Sequence, residues 1–346
     1  MALSVHDFQI AIICALKVEC DAVQAVFDGF LEEHGDPPTM IRKAQWDTNV
    51  YTTGKIGHHN VVLAHMANYG IGNSAGVAAN LRHTFPDIRV AFVVGVCGGM
   101  PKNKTADIML GDVIISTEMV EYGLGRQMTH GLRPTNPLGS RPNTELRGYL
   151  NKMQGQWDMF RLQERAIKYL ASPSLIPGQT KPEHPGMDKD NLFVSTHRHK
   201  HHEKGVCESR DKCVHDNDIP CVASETLDCA TLGCHELVNR QPREFPTQPQ
   251  VHFGKFGSAD KVMKSSTERD RLAREYSLIA LEMEGAGVWE KIPCFIIKGV
   301  CNYSDSHNNK NWQPYAAATA ASYFKAFLVP WREVIINPKI VEIPGK

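Results

Sequence analysis

Two polar side chains near the end of the chain each follow an apolar run, which is where a ligand site is easily built. Residues 278–281 are apolar and lead into Glu284, and a second apolar run, 292–300, ends at Asn302. In open α/β sheets, ligands bind beyond the carboxyl ends of the strands. Glu284 and Asn302 therefore predict two walls of one site. The alternative for Glu284 is a helix N-terminus, where the helix dipole favours an acid.

A third candidate, Glu19, lies near the start of the chain. Residues 8–14 are continuously apolar and rich in β-branched side chains, as in a buried parallel strand. Val18, Ala22 and Val26 then recur at helical spacing. Glu19 therefore follows the end of a strand and begins a helix, which predicts a place on the ligand side of the sheet.

The elements that must position these side chains alternate between strands and helices. Further strands are predicted at about 46–56, 60–65, 89–96, 112–117 and 251–257, and helices at about 70–85, within 136–170, at 267–276 and at 313–328. The last helix carries an apolar stripe that predicts core packing. A chain of 346 residues suits one large α/β domain or two small ones.

Charge and composition exclude several classes of protein. The chain has 38 Lys and Arg against 38 Asp and Glu, which speaks against a general nucleic-acid or anionic-membrane surface. No apolar run reaches the roughly 18–20 residues that a membrane span needs, and the first residues lack the layout of a signal peptide. The ten cysteines are therefore expected to be reduced thiols in a cytoplasmic protein.

Residues 172–249, called the inserted segment below, are rich in proline, histidine, cysteine and charge. We interpret them as long surface loops. Their cysteines are Cys207, Cys213, Cys221, Cys229 and Cys234. None forms a Cys-x-x-Cys pair, and the spacing is loose for structural zinc, so free thiols are expected and a zinc site is the alternative. The histidine-rich run 197–202 predicts a solvated loop.

Two glycine-containing stretches invite a functional interpretation. Residues 70–76 resemble a dinucleotide fingerprint, but the spacing is Gly-x-Gly-x-x-x-Gly and no acid ends the following strand, so no nucleotide cofactor is expected there. Cys97-Gly98-Gly99 follows a predicted strand and lets a ligand approach the backbone. Cys97 is more readily explained as a buried thiol than as a nucleophile, because no activating base is evident.

Taken in order, several short motifs resemble the nucleoside phosphorylase/nucleosidase superfamily. They are Ile-Ile-Cys-Ala-Leu-Lys-Val-Glu (12–19), Gly-Ile-Gly-Asn (70–73), Val-Gly-Val-Cys-Gly-Gly (94–99), Leu-Gly-Asp-Val-Ile-Ile-Ser (110–116), Leu-Glu-Met-Glu (281–284) and Val-Cys-Asn-Tyr-Ser-Asp-Ser-His (300–307). The chain is most similar to methylthioadenosine/S-adenosylhomocysteine nucleosidases, and closer still to fungal nucleosidase-like proteins, which also occur as N-terminal effectors of NLR-like receptors. The resemblance spans nearly the whole chain except the inserted segment.

The resemblance implies roles for individual residues. Cleavage of an N-glycosidic bond passes through an oxocarbenium-like sugar. Glu284 would accept the ribose hydroxyls, Met283 would pack under the sugar, and Glu19 would position and deprotonate water. The residues matching those that line the base are Val96, Cys97, Gly98, Val262 and Met263.

Asn302 departs from the nucleosidase pattern, which has at this position the Asp that protonates purine N7. An amide cannot act as a general acid, a role that contributes roughly 10²–10⁴-fold, but it can hydrogen-bond N7 and a 6-oxopurine. The trimeric purine phosphorylases, which prefer guanosine and inosine, have an Asn there. Asn302 thus predicts a 6-oxopurine preference or a slowed enzyme, or is a deliberate substitution. Asp305 would be the acid if the alignment is displaced.

The resemblance implies a three-layer αβα sandwich with a mixed central sheet, formed by one domain at 1–330 with a tail at 331–346. We expect a purine nucleoside N-ribohydrolase and a homodimer, with no cofactor and no catalytic metal. A carboxylate at position 19 would repel phosphate, but a phosphorylase stays an alternative. So do a low-turnover purine-binding effector and a nucleosidase for AMP or ATP, which would need Arg126, Lys200 or Lys204 near the 5′ end.

Overall fold

The computed structural model describes residues 3–31, 42–102, 106–129, 131–136, 139–202 and 220–331. Cys207, Cys213, Lys204 and the predicted tail beyond Trp331 lie outside the described residues.

One large mixed sheet organises the described chain. Its strands are β1 (Ile10–Cys14), β2 (Gly29–Phe30), β3 (Val50–Ile56), β4 (His59–His65), β5 (Val90–Gly99), β6 (Val113–Glu121), β9 (Val251–Ser258), β10 (Leu278–Glu282) and β11 (Cys294–Asn302), and a separate hairpin is formed by β7 (Gly125–Met128) and β8 (Gly131–Pro134). The spatial order in the sheet is β10-β9-β6-β11-β5-β1-β4-β3-β2. β5 lies at its centre, with parallel β1 and β11 on either side.

Helices cover both faces of this sheet. They are α1 (Lys17–Gln24), α2 (Ile71–Thr84), α3 (Thr144–Met153), α4 (Gln156–Ala171), α5 (Ser266–Tyr276), α6 (Gly285–Trp289) and α7 (Gln313–Leu328). Alternate side chains of β1 enter two different apolar cores, because successive residues of a strand point to opposite faces. Ile10 and Ile12 pack with α1, α3, α4 and α7, whereas Ala11 and Ile13 pack with α2 and α6. This confirms the predicted three-layer α/β architecture.

The edge strand β10 curls back onto the central strand. It runs parallel to β9 but also pairs antiparallel with β5, where Leu281 lies opposite Gly98. On the other side of β5, the register of β11 shifts between Val300 and Asn302, and Asn302 then lies opposite Gly98 as well. The ends of β10 and β11 therefore meet at one stretch of β5.

The inserted segment contains little regular structure in its described residues, 172–202 and 220–249. There it forms two short 3-10 turns, Met187–Lys189 and Val222–Glu225, and one isolated bridge between Phe193 and Leu237. Two arginines attach it to the core. Arg243 donates two hydrogen bonds to Asp112, and Arg240 donates one to the hydroxyl of Tyr303 at 2.6 Å.

Most predicted elements agree with the structure to within a few residues, and helix 313–328 agrees at both ends. The hairpin β7–β8 was not predicted, because its residues lack an alternating apolar pattern. In the described part of the chain, no helix combines the length and hydrophobicity needed to cross a membrane.

Candidate active site

A cavity of about 750 Å³ lies where the carboxyl ends of β1, β5, β10 and β11 meet. The sheet contributes one wall, which includes Glu19, Glu284 and Asn302. The inserted segment contributes a second wall, with His199 and residues 225–229. The three polar residues predicted at strand ends are therefore brought to one site.

Glu19 lies in the first turn of α1, just beyond β1, and its side chain is almost fully buried. Its Oε2 accepts hydrogen bonds from the backbone N–H groups of Ala15 and Leu16, at 2.9 and 2.8 Å. Its Oε1 accepts one from Val96 N at 2.7 Å. Burial raises the pKa of Glu19, although Lys298 opposes the shift. The result is a fixed carboxylate that is more basic than an exposed one.

Two glycines of β5 give the site side chains room to approach the sheet. A Cβ at Gly95 would lie 2.0 Å from Oε1 of Glu19. A Cβ at Gly98 would lie 2.0 Å from Oγ of Ser304 and 2.9 Å from Oδ1 of Asn302. Both contacts are too close for any side chain, so glycine is required at both positions by close approach.

Glu284 pairs with a lysine that the sequence analysis did not identify. Lys298, in the middle of β11, is fully buried, and its Nζ lies 3.0 Å from Oε2 of Glu284. Glu284 is the residue that caps α6, as the alternative interpretation had it, but its side chain makes no capping hydrogen bond. Its carboxylate is oriented by Lys298.

A third buried acid, Glu282, accepts hydrogen bonds from the backbone at the start of α6. Its carboxylate accepts hydrogen bonds from the backbone N–H groups of Glu284 and Gly285. Burial raises the pKa of Glu282. Burial also disfavours the charged form of Lys298. The pKa of Lys298 is nevertheless raised, because Glu284, Glu19 and Glu282 together outweigh the cost of burial. One buried ammonium thus contacts Glu284 directly and offsets the charges of Glu19 and Glu282 nearby.

Asn302 lines the cavity at the end of β11 with a defined amide orientation. Its Oδ1 accepts a hydrogen bond from Ser304 N at 2.8 Å, and its Nδ2 donates to Sγ of Cys301 at 3.3 Å.

Asp305 is buried, and its Oδ2 lies 3.8 Å from a guanidinium nitrogen of Arg269. Its Oδ1 accepts a hydrogen bond from His307 N. Asp305 is not among the described residues that line the cavity.

The residues predicted to contact the base or the sugar lie around the same cavity. Its lining includes Val96, Cys97, Gly98, Val262, Met263 and Met283. Val262 is largely exposed, at 56 % of its surface, whereas Cys97 is buried. Burial raises the pKa of the Cys97 thiol, so this side chain is a neutral part of the wall.

The carboxylate of Asp260 binds the N-terminus of α2, next to its glycine-rich start. The carboxylate of Asp260 accepts a hydrogen bond from Ile71 N at 2.7 Å, next to Gly70, whose φ of 111° suits glycine. A side-chain acid therefore takes the position at the helix N-terminus where a phosphate would bind in a dinucleotide site.

Basic residues line the cavity, but they are not the ones that the sequence analysis proposed for a 5′ phosphate. Arg126 lies on the exposed β7 and Lys200 is buried, and among the described residues neither lines the cavity. Lys261, Lys264 and Lys310 do line it, and all three are exposed. The inserted segment adds Glu225 and Asp228 on its side.

Sequence reasoning missed Lys298 and the wall formed by the inserted segment. The signal for Lys298 is a charged residue inside the apolar run Ile-Ile-Lys-Gly-Val (296–300). Because both faces of a central strand are covered, such a lysine needs a buried counter-charge. No comparable signal marks residues 225–229, which follow no regular spacing.

Comparison with solved structures finds the same fold. The 5′-methylthioadenosine/S-adenosylhomocysteine nucleosidase of Neisseria meningitidis covers 93 % of this chain and 99 % of its own, with a TM-score of 0.53 and 15 % identity. The Streptococcus pneumoniae MTA/SAH nucleosidase matches over 94 % of this chain and 100 % of its own, at 15 % identity and a TM-score of 0.54. Futalosine hydrolase of Helicobacter pylori matches over 93 % and 97 %, at 13 % identity and a TM-score of 0.52.

Comparison by sequence finds one curated relative and no matching family model. The relative is a nucleotide-binding leucine-rich repeat (NLR)-like protein of Hyaloscypha variabilis, which is 30 % identical over 99 % of this chain. The chain spans about 30 % of the length of that relative. The solved structures show that this chain shares the fold of the methylthioadenosine/S-adenosylhomocysteine nucleosidases and of futalosine hydrolase.

Proposed function

We propose that this chain hydrolyses the N-glycosidic bond of purine nucleosides, with a preference for 6-oxopurines such as guanosine and inosine. The observation that carries the proposal is the buried carboxylate of Glu19. It is held by three backbone N–H groups, and it lines the same cavity as Glu284, the partner of the buried Lys298.

Glu19 has the properties of a general base for water. Three fixed N–H donors set its orientation, and burial raises its pKa, which makes the ionised carboxylate a better proton acceptor. In the proposed reaction, Glu19 takes a proton from water as that water attacks the anomeric carbon. The base leaves as an anion with the electron pair of the broken C–N bond and takes up a proton from solvent, and Glu19 then releases its proton to solvent.

Glu284 is suited to hold the sugar. A carboxylate can accept hydrogen bonds from two ribose hydroxyls and offset the positive charge that develops on the sugar. Lys298 acts as a positioning residue, since its ammonium fixes Oε2 of Glu284 from the protein side. Met283 adds an apolar surface to the same part of the cavity.

The amide of Asn302 supports the preference for 6-oxopurines. Nδ2 donates one of its two hydrogens to Sγ of Cys301, so its second N–H is left to donate to a base. A 6-oxopurine offers two acceptors on that edge, N7 and O6, whereas adenine offers N7 beside an amino donor. With an amide in place of an acid, the leaving base is stabilised by hydrogen bonding instead of protonation.

The charges of the site favour water over phosphate as the nucleophile. Three buried carboxylates, Glu19, Glu282 and Glu284, surround the single ammonium of Lys298. A phosphate dianion placed beside Glu19 would be repelled, and such repulsion is strong in a buried site.

A second candidate substrate is a purine nucleotide such as AMP or ATP. The observation that favours it is the set of three exposed lysines on the cavity lining, Lys261, Lys264 and Lys310. Ammonium groups bind phosphate well. Further proposals, which rest on the resemblance alone, are a cytoplasmic homodimer and a low-turnover purine-binding effector within a larger receptor.

The test is release of free base from guanosine, inosine, adenosine, AMP and ATP, each with and without inorganic phosphate. We expect base release without phosphate and the highest kcat/KM for guanosine or inosine. For Asn302→Asp, we expect a change of preference towards adenosine. Tight purine binding without base release would favour the effector, and faster turnover of all substrates by Asn302→Asp would contradict the role of Asn302 in specificity.

A further inference from the structure

Four side chains with metal-binding atoms, which the proposed reaction does not use, meet beside the cavity. They are His199, Cys229, Cys234 and His307, and the candidate ligand atoms all lie within 4.8 Å of one another. Sγ of Cys229 lies 3.6 Å from Nδ1 of His199 and 3.6 Å from Nδ1 of His307. Sγ of Cys234 lies 3.9 Å from Nδ1 of His199. Two sulfurs and two ring nitrogens therefore surround one point.

These distances fit a tetrahedral metal site. Zinc binds cysteine sulfur at about 2.3 Å and histidine nitrogen at about 2.0–2.1 Å, so tetrahedral ligands of these two kinds lie roughly 3.6 Å apart. Three of the four sulfur-to-nitrogen distances of the cluster, 3.6, 3.6 and 3.9 Å, agree with that value, and the fourth is within 4.8 Å.

The second nitrogen of each histidine has the partner that a metal ligand requires. Nε2 of His199 lies 3.0 Å from the carbonyl oxygen of Leu227, and Nε2 of His307 lies 3.0 Å from that of His197. A carbonyl only accepts, so Nε2 carries the proton in both rings and Nδ1 is left with a free lone pair. Metal-binding histidines are oriented in this way by a backbone carbonyl or a carboxylate.

We propose that His199, Cys229, Cys234 and His307 bind one zinc ion as a closed structural site. Two thiolates and two imidazoles in a tetrahedron select zinc over the harder cations, which prefer oxygen ligands. Because all four positions are taken by protein, the ion has no open position for catalysis. In the inserted segment, free thiols were expected and a zinc site was the alternative; this proposal adopts the zinc site.

The position of the site gives the ion a structural role. Its ligands come from three separate parts of the chain: the run 197–202, the turn 229–234 and the loop that follows β11. The inserted segment has little regular structure of its own, and a metal can supply the stability that a small core does not. Since His199, Cys229 and His307 also line the cavity, the ion fixes this part of the cavity lining.

The test is the metal content of the full chain after purification from zinc-supplemented medium, measured by mass spectrometry of the elements. We expect about one zinc per chain, with two sulfur and two nitrogen ligands in X-ray absorption spectra. Cys229→Ser and Cys234→Ser should each lower zinc affinity by more than about 100-fold, measured in competition with a chelating dye. Substitution of residues that only hydrogen-bond to metal ligands already lowers affinity by about 10–100-fold.

Two control variants keep the test specific to this site. Cys221 is a half-buried thiol of the same segment outside the cluster, so Cys221→Ser should keep its zinc. His202 belongs to a neighbouring group with His197 and Cys234, so His202→Gln should also keep it.

Three results would overturn the proposal. They are less than about one tenth of a zinc per chain in the wild type, a disulfide between Cys229 and Cys234 in the protein isolated under reducing conditions, and zinc lost from His202→Gln but retained by Cys229→Ser. Circular dichroism of each variant checks that it folds, and cobalt-substituted wild type should show the visible bands of a tetrahedral thiolate site. These measurements do not depend on base release.

Discussion

The two walls of the cavity are built in different ways. On the sheet wall, Glu19 and Glu284 lie just beyond the ends of β1 and β10, where backbone N–H groups hold Glu19 and the buried Lys298 of β11 holds Glu284. On the wall of the inserted segment, residues 225–229 belong to largely irregular chain that is attached by the Arg243–Asp112 ion pair and by a cysteine–histidine cluster. Rigid strands provide the fixed geometry that catalysis needs.

This difference suggests a division of labour between the walls. The sheet wall holds the groups proposed to act on water and sugar, whose positions tolerate little displacement. The other wall can vary without disturbing the strands, since loops accept changes that cores do not. We therefore expect changes in the sheet wall to reduce kcat or folding stability, and changes in the other wall to act mainly on KM.

The largest expected effect is that of Glu19→Gln. Removing the proposed base should lower kcat for base release roughly 10²–10⁴-fold, which is the usual contribution of such a group. The matched variant on the other wall is Glu225→Gln, since Glu225 lines the same cavity from the inserted segment. It should change KM with less than about tenfold effect on kcat. Steady-state kinetics of both variants measure these effects. Equal losses of kcat in the two variants would contradict the proposed difference between the walls.

The next effect is the stability lost by Lys298→Met. Breaking a buried ion pair leaves carboxylates without a counter-charge, which costs about 3–5 kcal/mol of the free energy of unfolding. Lys310→Met, at an exposed lysine of the cavity, should change this free energy by less than about 0.5 kcal/mol. Urea unfolding provides the values. The double variant Lys298→Met/Glu284→Gln should recover part of the loss, and no recovery would show that the pair is not coupled.

A smaller effect is expected where the inserted segment is attached to the sheet. Arg243 donates to both carboxylate oxygens of Asp112, so Arg243→Met should cost about 2–3 kcal/mol. Burial opposes ionisation of Asp112, but Arg243 and His252 overcome it and lower its pKa. The stabilisation is therefore present above about pH 4, the ordinary pKa of Asp, and is lost as pH falls through the lower folded value.

Unfolding of wild type and Arg243→Met at a series of pH values tests this. The difference between them should shrink below about pH 4. Arg141→Met, at a mostly exposed arginine that pairs with Glu118, is the control and should cost less than about 1 kcal/mol. A difference that stays constant with pH would assign the loss to packing of Arg243 instead of to its charge.

The smallest expected effect is a displaced acid limb in the pH profile of kcat/KM. Burial is the largest influence on Glu19 and raises its pKa, so the base becomes protonated at a higher pH than an ordinary Glu at about 4.3. Activity should therefore begin to fall, as pH is lowered, above that value. Glu225→Gln should keep the limb. A limb at or below the ordinary value would mean that another group titrates.

Sequence reasoning predicted more of the sheet wall than of the other wall. Glu19, Glu284 and Asn302 were found because each follows an apolar run, and strand ends converge in an α/β sheet. Lys298 was missed because the acids around it come from other elements of the fold. The metal ligands are separated along the chain, so no spacing rule brings His199, Cys229 and His307 together. Only the fold does so.

The central claim is that water, activated by Glu19, attacks the sugar. It is tested most directly by identifying the sugar product formed from guanosine or inosine in phosphate buffer, using phosphorus NMR and quantification of free base. We predict free ribose in equal amount to the base and no sugar phosphate. Ribose 1-phosphate as the product would contradict the claim, because phosphate would then be the nucleophile in spite of the carboxylate of Glu19.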